Sequence, residues 1–456
     1  MGDAHRALGV NDIRGRVFLS EQDIEPIARR LLARSRADAC EIAIRGGEEQ
    51  NLRFAHGAAT TNRSLADISL RVSSHVGRRV GSVEIASLDE GAALAALERS
   101  ERIARALPPD QDYVAPLGPQ NYEDSRRYGE ATGTLGMEAL AARAGEAIAQ
   151  GMAAGVDTFG CAASGRRFLA MVNSAGLFAY DRRAEIEISV TARNRADSWS
   201  GWAGENAFDA DLLDAGAVAR RACEKAAHDE TPSDLEPGRY TVIFEPDATA
   251  ELARWLLRAL DARATEEGRN FFSGKRGGEP LFDAKLTLSS DPADPLAPDS
   301  SIGFEGVAQR ARPWIDSGVV ASFYRDRAYA RKTGAEAVAH PRGFHLRGGE
   351  TPIEDMIRAT KRGLLVTRLW YANMLDPRSL SLTGLTRDGN FIIENGKVVA
   401  PARNMRFNAS LAEVFARIEA LGPSRRAWSA FKDAGAAAAP AMLVEGFPFA
   451  SRSAGI

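Results

Sequence analysis

Histidine and cysteine are scarce in this chain, six and three among 456 residues. The cysteines, Cys40, Cys161 and Cys223, are odd in number and far apart, with no CxxC spacing. That excludes a small disulfide scaffold and suits unpaired thiols in a reducing compartment. Among His5, His56, His75, His228, His340 and His345 no two are four apart, the spacing that sets two imidazoles on one helical face to grip zinc. HExxH and HExxxH are both absent. His340 and His345 are five apart, but in "HPRGFH", where Pro and Gly forbid a helix. Two solvated loop histidines are the favoured reading there, with a loop metal site made of that pair and Glu350 as the alternative.

Other signatures are missing too. There is no GxxxxGK[ST] phosphate loop, no strand-linked GxGxxG and no GxSxG nucleophile elbow. No apolar run reaches the roughly 18 residues of a membrane span, and "MGDAHRALGVNDIRG" lacks a basic region followed by an apolar one. A net charge of −3 and a pI near 6.2 create no overall field for polyphosphates or anionic lipid. Arginine-rich "RRLLARSR" (29–36) reads as a solvated helix face. A cytoplasmic protein with no nucleic-acid or membrane partner is expected.

What is present is ordinary for a folded chain, with 45% hydrophobic and 26% charged residues. Residues 20–36 read as an amphipathic helix with Ser20 as N-cap. Short alternating runs at 40–44, 50–55, 66–72 and 78–85, separated by turns such as "RGGEE" and "HVGRR", predict an antiparallel meander. A helix over 88–107 stops at "PPD", and four prolines in 107–122 mark a linker. Helices follow near 136–153 and 211–228, with strand, turn and strand over 168–193. The boundaries fall at 1–110 for an N-terminal α+β module, 111–236 for a middle α+β module and 237–456 for a C-terminal domain. The fold class is α+β, mixed modules first and a large β-rich domain last.

In that last domain "RYTVIF" (239–244) reads as a buried strand that runs into a helical stretch, "EPDATAELARWLLRALDA" (245–262). Such a helix often delivers catalytic groups to the end of a sheet, yet this one carries no His, Cys or Ser. Its polar residues pair at helical spacing, Glu251 with Arg254 and Arg258 with Asp261, and read as surface ion pairs. The loop "SGKRGGE" (273–279) is read as mobile, with an anion cradle around Lys275 and Arg276 as the alternative. Strands are expected over 284–292, 344–349 and 363–370, and helices over 354–361 and 409–421. "GNFIIENGKVVAP" (389–401) reads as a hairpin turning at Asn395-Gly396. Low complexity is confined to "AGAAAAPA" (434–441).

Several strings together resemble the TldD/PmbA family, also called TldD/TldE: "FFSGKRGGEPLFDAKLTLSSDP" (271–292), "FEGVAQRARPWIDSGVVASFYRDRAYARKTG" (304–334), "RGLLVTRLW" (362–370) and "GNFIIENGKVVAPARNMRF" (389–407). Earlier stretches at 51–72 and 172–183 are similar to that family's first and middle parts. The resemblance implies two sorts of member. TldD-type chains carry HExxxH on the helix after the strand, with a later Cys as a further ligand, and hydrolyse peptides. TldE/PmbA-type chains share the fold, lack those ligands and pair with a TldD-type chain. Laid against the armed helix, the first His falls near Glu251, the Glu near Leu252 and the second His near Leu256, and no cysteine follows Cys223.

The chain thus resembles the non-metal-binding subunit of a heteromeric zinc metallopeptidase that processes unfolded or modified peptides. What the resemblance implies is no cofactor in this chain, zinc in the TldD-type partner, and a heterodimer around an extended peptide. The partner's zinc would polarise the scissile carbonyl, with its Glu as general base. Roles in peptide maturation, or toxin–antitoxin and gyrase-linked phenotypes, are implied without distinction. The hairpin is expected near the shared cavity, its edge accepting peptide and Thr383, Arg387, Asp388, Glu394 and Asn395 around it. A stand-alone peptide-binding scaffold, perhaps a homodimer without protease activity, is the alternative.

Overall fold

The computed structural model describes residues 15–196, 199–228, 230–275, 278–428 and 435–453. Arg276 in the glycine-rich loop, the first fourteen residues and Ala434 at the head of the alanine run lie outside them. The fold is α+β. No helix among the described residues is long and apolar enough to cross a membrane.

The N-terminal body opens with α1 (Glu21–Leu32), β1 (Ala39–Ala55), β2 (Ala58–Val76), β3 (Arg79–Ile85) and α2 (Glu90–Ala106). It continues with the short α3 (Glu130–Gly133), α4 (Met137–Ala154), β4 (Asp157–Asn173), β5 (Phe178–Arg193), β6 (Ser200–Ala207) and α5 (Ala215–Ala226). Ser20 caps α1 in a capping box closed by Asp23. The strands form one antiparallel sheet of order β3-β2-β1-β4-β5-β6. Strands on both sides of the proline-rich stretch therefore share a layer. Along β1, Ile42, Ile44, Leu52 and Phe54 are buried and point to one face. Helices α1 and α2 cover the first pair, α4 and α5 the second. The opposite face of the sheet carries the charged residues.

The short runs at 40–44 and 50–55 belong to one strand, and "RGGEE" is its middle rather than a turn. A Cβ at Gly46 would stand 2.3 Å from the Val17 carbonyl oxygen, and one at Gly47 2.1 Å from that of Arg166. The glycines are there because neighbouring backbone comes too close for a side chain.

The C-terminal body comprises β7 (Gly238–Phe244), α6 (Pro246–Arg258), α7 (Ala262–Glu266), β8 (Leu288–Ser290), β9 (Arg312–Asp316), β10 (Val319–Val320), α8 (Arg327–Thr333), β11 (Phe344–Leu346) and α9 (Ile353–Ala359). Next come β12 (Arg362–Asp376), β13 (Ser381–Glu394), β14 (Lys397–Pro401), β15 (Met405–Ser410), α10 (Leu411–Phe415), β16 (Ile418–Leu421), β17 (Arg425–Ala427), β18 (Ala437–Ala439) and β19 (Met442–Arg452). Strands β12, β7, β19, β15 and β13 pair in that order and β13 pairs back with β12, which closes a ring. A second sheet runs β10-β9-β8-β11-β18-β17. Helix α6 packs against β12 on one side and β17 and β18 on the other, within a single apolar core. The helix expected over 409–421 is shorter: α10 stops at Phe415, and Ile418 and Leu421 pair instead with Val444 and Met442 of buried β19. Strand pairing to a core strand overrides the local helical period there.

The proline-rich stretch is a strap that joins the two bodies. Its carbonyls at Tyr113 and Ala115 accept from Arg331 and Arg327, and that of Leu117 from Asn173 Nδ2 at 2.8 Å. Tyr122 donates its hydroxyl to Gly306 O at 2.6 Å. Just beyond the strap, Arg127 pairs with Asp181 of β5, and Ser300 Oγ donates to the same carboxylate at 2.6 Å.

Beside this junction Asp299 is buried. Its Oδ1 accepts from the N–H groups of Ser300, Arg342 and Gly343 at 2.7, 3.0 and 2.8 Å, while Oδ2 has no hydrogen-bond partner among the described residues. Burial pushes its carboxyl up from 3.8 to about 6, against those N–H groups and Arg127. Because the folded value is the higher one, this group's contribution is complete below pH 3.8 and is lost as pH rises through about 6. The loss is roughly 3 kcal/mol. Asp299→Asn, which cannot ionise, should gain about that much on the natural protein between urea titrations at pH 4 and pH 7. Parallel pH slopes for the two proteins would contradict this.

Candidate functional site

Strand β7 ends at Phe244 and the chain turns at Glu245, the N-cap of α6, with Pro246 in the first helical position. The Glu245 side chain makes no cap hydrogen bond. It reaches instead to Lys225 of α5, 2.6 Å away, and accepts from Thr367 Oγ1 at 3.3 Å. On α6, Leu252, Ala253, Leu256 and Leu257 are buried. Glu251, Arg254 and Trp255 are half-buried, not on an open surface as the spacing predicts. Glu251 Oε1 accepts from Trp255 Nε1 at 3.0 Å, and burial raises its carboxyl pKa, with Arg254 opposing. Arg254 lies over the Phe344 ring at 5.1 Å, and burial pushes it down to about 10. Asp261 caps α7, accepting from the N–H groups of Arg263 and Ala264.

The three positions that the family resemblance sets against a metal-binding helix, Glu251, Leu252 and Leu256, do not fit a metal. Leu252 and Leu256 are both 0% exposed inside the apolar core. The one donor, Glu251, is already engaged by the Trp255 indole. The histidines are not two solvated loop residues either. His340 packs its ring against Tyr324 at 4.7 Å, and burial, helped by Arg258, lowers its pKa to about 4. His345 sits in β11 with Nδ1 2.8 Å from Asp294 Oδ2. Glu350 is exposed. Among the described residues no group of three or more His, Cys, Asp or Glu side chains is arranged to hold a metal ion. Lys275 of the glycine-rich loop lies over the Phe271 ring at 4.2 Å.

What surrounds the start of α6 is a buried ionic network. Arg425 lies 3.9 Å from Glu245 and 3.7 Å from Asp247, and Asp247 Oδ1 accepts from the Trp428 N–H at 2.7 Å. Burial raises the Asp247 carboxyl, against Arg425. On the neighbouring strands Arg368 pairs with Asp388 and lies over the Trp202 ring at 4.5 Å. Ser200 Oγ donates to Asp388 at 2.7 Å. These contacts fasten α5 and β6 of the N-terminal body to α6, β12 and β13. The carboxylates are all engaged by cations or N–H groups, so the arrangement holds structure and offers no free base or nucleophile. Sequence reasoning passed over Lys225, Glu245, Asp247 and Arg368. The available signals were two acids flanking Pro246 where an apolar strand meets its helix, and a lone arginine inside apolar "GLLVTRLW".

Of the five residues expected around a peptide cavity, the structure brings two together: Arg387 Nε stands 3.4 Å from Asp388 Oδ2. Asp388 is buried at φ +50, a costly conformation for a non-glycine residue. Thr383 pairs on both sides, with Asn373 of β12 and Asn408 of β15. Glu394 pairs with Lys397 at the far end of β13, and Asn395 (φ +49) and Gly396 (φ +78) form the turn. The outer edge of the hairpin is β14, whose Val398 and Val399 are exposed.

Comparison with known proteins agrees with this layout. The sequence profile of the PmbA/TldA metallopeptidase C-terminal domain matches residues 237–451, and that of the central domain matches 122–228. No curated protein matches. Among solved structures, TldE from Thermococcus kodakarensis superposes with a TM-score of 0.84 at 18% identity, covering 93% of this chain and 100% of that one. A Thermotoga maritima protein, provisionally described as a modulator of a DNA gyrase, gives 0.82 at 18% identity, covering 94% and 100%. One from Bacteroides thetaiotaomicron with a similar description gives 0.79 at 18%, covering 95% and 99%. At that identity the likeness concerns the fold.

Proposed function

The chain belongs to the PmbA/TldD metallopeptidase family, and from that premise we propose that it is a TldE-like, non-catalytic subunit of a heteromeric peptidase. In this reading a TldD-type partner carries the zinc and the catalytic residues. This chain binds no catalytic metal and supplies walls of the cavity that receives an unfolded or modified peptide. The observation that carries the reading is the pair Leu252 and Leu256, fully buried where metal-binding and proton-moving groups would otherwise stand. A cytoplasmic location suits its few cysteines, Cys40, Cys161 and Cys223, which lie far apart in sequence with no CxxC spacing.

The test is reconstitution. The purified chain alone should leave denatured polypeptides intact, and adding a TldD-type subunit should give chelator-sensitive cleavage well above that of the subunit alone. Chelator-sensitive cleavage by this chain alone, surviving substitution of His340 and His345, would refute the proposal. A second reading, a peptide-binding protein that works without a partner, draws on a different observation: a cleft of about 1140 Å³ lies wholly within this single chain.

A further inference from the structure

That cleft runs between the charged face of the N-terminal sheet and the segment that leads from Ser300 to Arg342. Two charges on its floor are set by strand geometry. Glu41 and Arg45 are four residues apart on β1, so they project from the same face about 14 Å apart. The wall repeats that polarity. Gly306 lies against Leu177, which bonds to Asn173, the cross-strand partner of Glu41, so the adjacent Glu305 stands at the acidic end. At the other end Ser300 bonds to Asp181, which pairs with Leu169, itself the partner of Arg45. Arg342 lines the cleft at that end, its N–H bonded to Asp299.

Three of these charges have no salt-bridge partner, although the Glu305 carboxylate accepts from the Arg327 N–H at 3.4 Å and that residue's charge acts on it. Among the described residues Glu305, Arg45 and Arg342 make no side-chain ion pair, whereas Glu41 is engaged by His75 at 3.0 Å. Phe304, 73% exposed, stands beside Glu305 as an apolar contact. A cleft with an unpaired carboxylate at one end and two unpaired guanidinium groups at the other is complementary to a zwitterion of matching length. An extended peptide of about four residues places its terminal ammonium and carboxylate at that separation.

We propose that this cleft binds a short peptide, about four residues long, by its two free termini: the α-ammonium at Glu305 and Glu41, the α-carboxylate at Arg45 and Arg342. Main-chain length and end charge select the ligand, and its side chains are tolerated. The site belongs to this chain alone and does not require the partnership proposed above.

Calorimetric titration of the full chain with tetra-alanine, its N-acetyl form and its C-amide tests the idea. The free peptide should bind saturably, and blocking either terminus should weaken binding about tenfold or more. In Glu305→Gln, with Glu41 left alone at that end, the penalty from the acetyl group should shrink while that from the amide is unchanged. In Arg45→Gln/Arg342→Gln the pattern should reverse. All three residues are solvent-accessible or on the cleft wall, so circular dichroism should report unchanged folds. The proposal is overturned if tetra-alanine does not bind, if the capped forms bind as well as the free one, or if only one cap has an effect. These outcomes are independent of whether cleavage appears with a TldD-type subunit.

Discussion

Arming the helix should unfold the C-terminal body before it could create a peptidase. Leu252→Glu puts a carboxylate at a position that is 0% exposed within a core of Phe, Leu and Trp side chains. Ionised, it would sit without a cation; neutral, it would still lack hydrogen-bond partners, and either state costs several kcal/mol. Leu256→His adds a second buried polar ring at another 0% exposed site. The combined Glu251→His, Leu252→Glu, Leu256→His chain is therefore expected to lose about 5 kcal/mol or more, comparable to the whole stability of many domains. Leu252→Met, which conserves volume and polarity, should cost less than about 1.5 kcal/mol. Urea midpoints decide it. A triple variant that melts like the natural chain while holding stoichiometric zinc would show that the helix environment can accept a metal, and would remove the main support for a non-catalytic role.

Most of the local structure was legible because its causes are local. Ser20 with Asp23 three residues on gives a capping box, and Asn395-Gly396 gives a two-residue turn with both residues at positive φ. Strand β7 and helix α6 show in the passage from an apolar run to a 3.6-residue period. What stayed hidden depends on partners distant in sequence. Gly46 and Gly47 look like a turn until Val17 and Arg166 are known to press on them. The period of 409–421 is helical, yet its second half is claimed by β19. Arg254 and Glu251 have the spacing of a surface pair, and only the sheets packed around α6 make them half-buried. The cleft is also a product of topology, since alternation along β1 announces a charged face without saying what stands opposite it.

The ion pair at the entrance of α6 is the clearest case of such long-range dependence, and it carries the other large effect. Lys225 and Glu245 are 2.6 Å apart, with side chains 17% and 9% exposed, and join the last helix of the N-terminal body to the first turn of α6. Burial by itself would raise the Glu245 carboxyl, but Lys225 and Arg425 hold it below its usual range. Lys225→Ala leaves that carboxylate with the Thr367 hydroxyl and a single, more distant cation, Arg425 at 3.9 Å, and should cost about 3–5 kcal/mol. Replacing both partners, Lys225→Met with Glu245→Gln, removes the charges together and retains a side chain able to accept from Thr367, so it should cost markedly less than the single change. The acid limb follows the same logic. Since the folded carboxyl titrates below its unfolded value, its contribution is present above pH 4.5 and is lost as pH falls through the folded value. The double variant should therefore lose less stability than the natural protein on acidification below that point. If Lys225→Ala and the double variant melt together, and both keep the natural acid slope, the pair is not what holds the two bodies in register. The load then falls on another buried link between the N-terminal sheet and the ring of strands, the Ser200 hydroxyl that donates to Asp388 where Arg368 pairs with it.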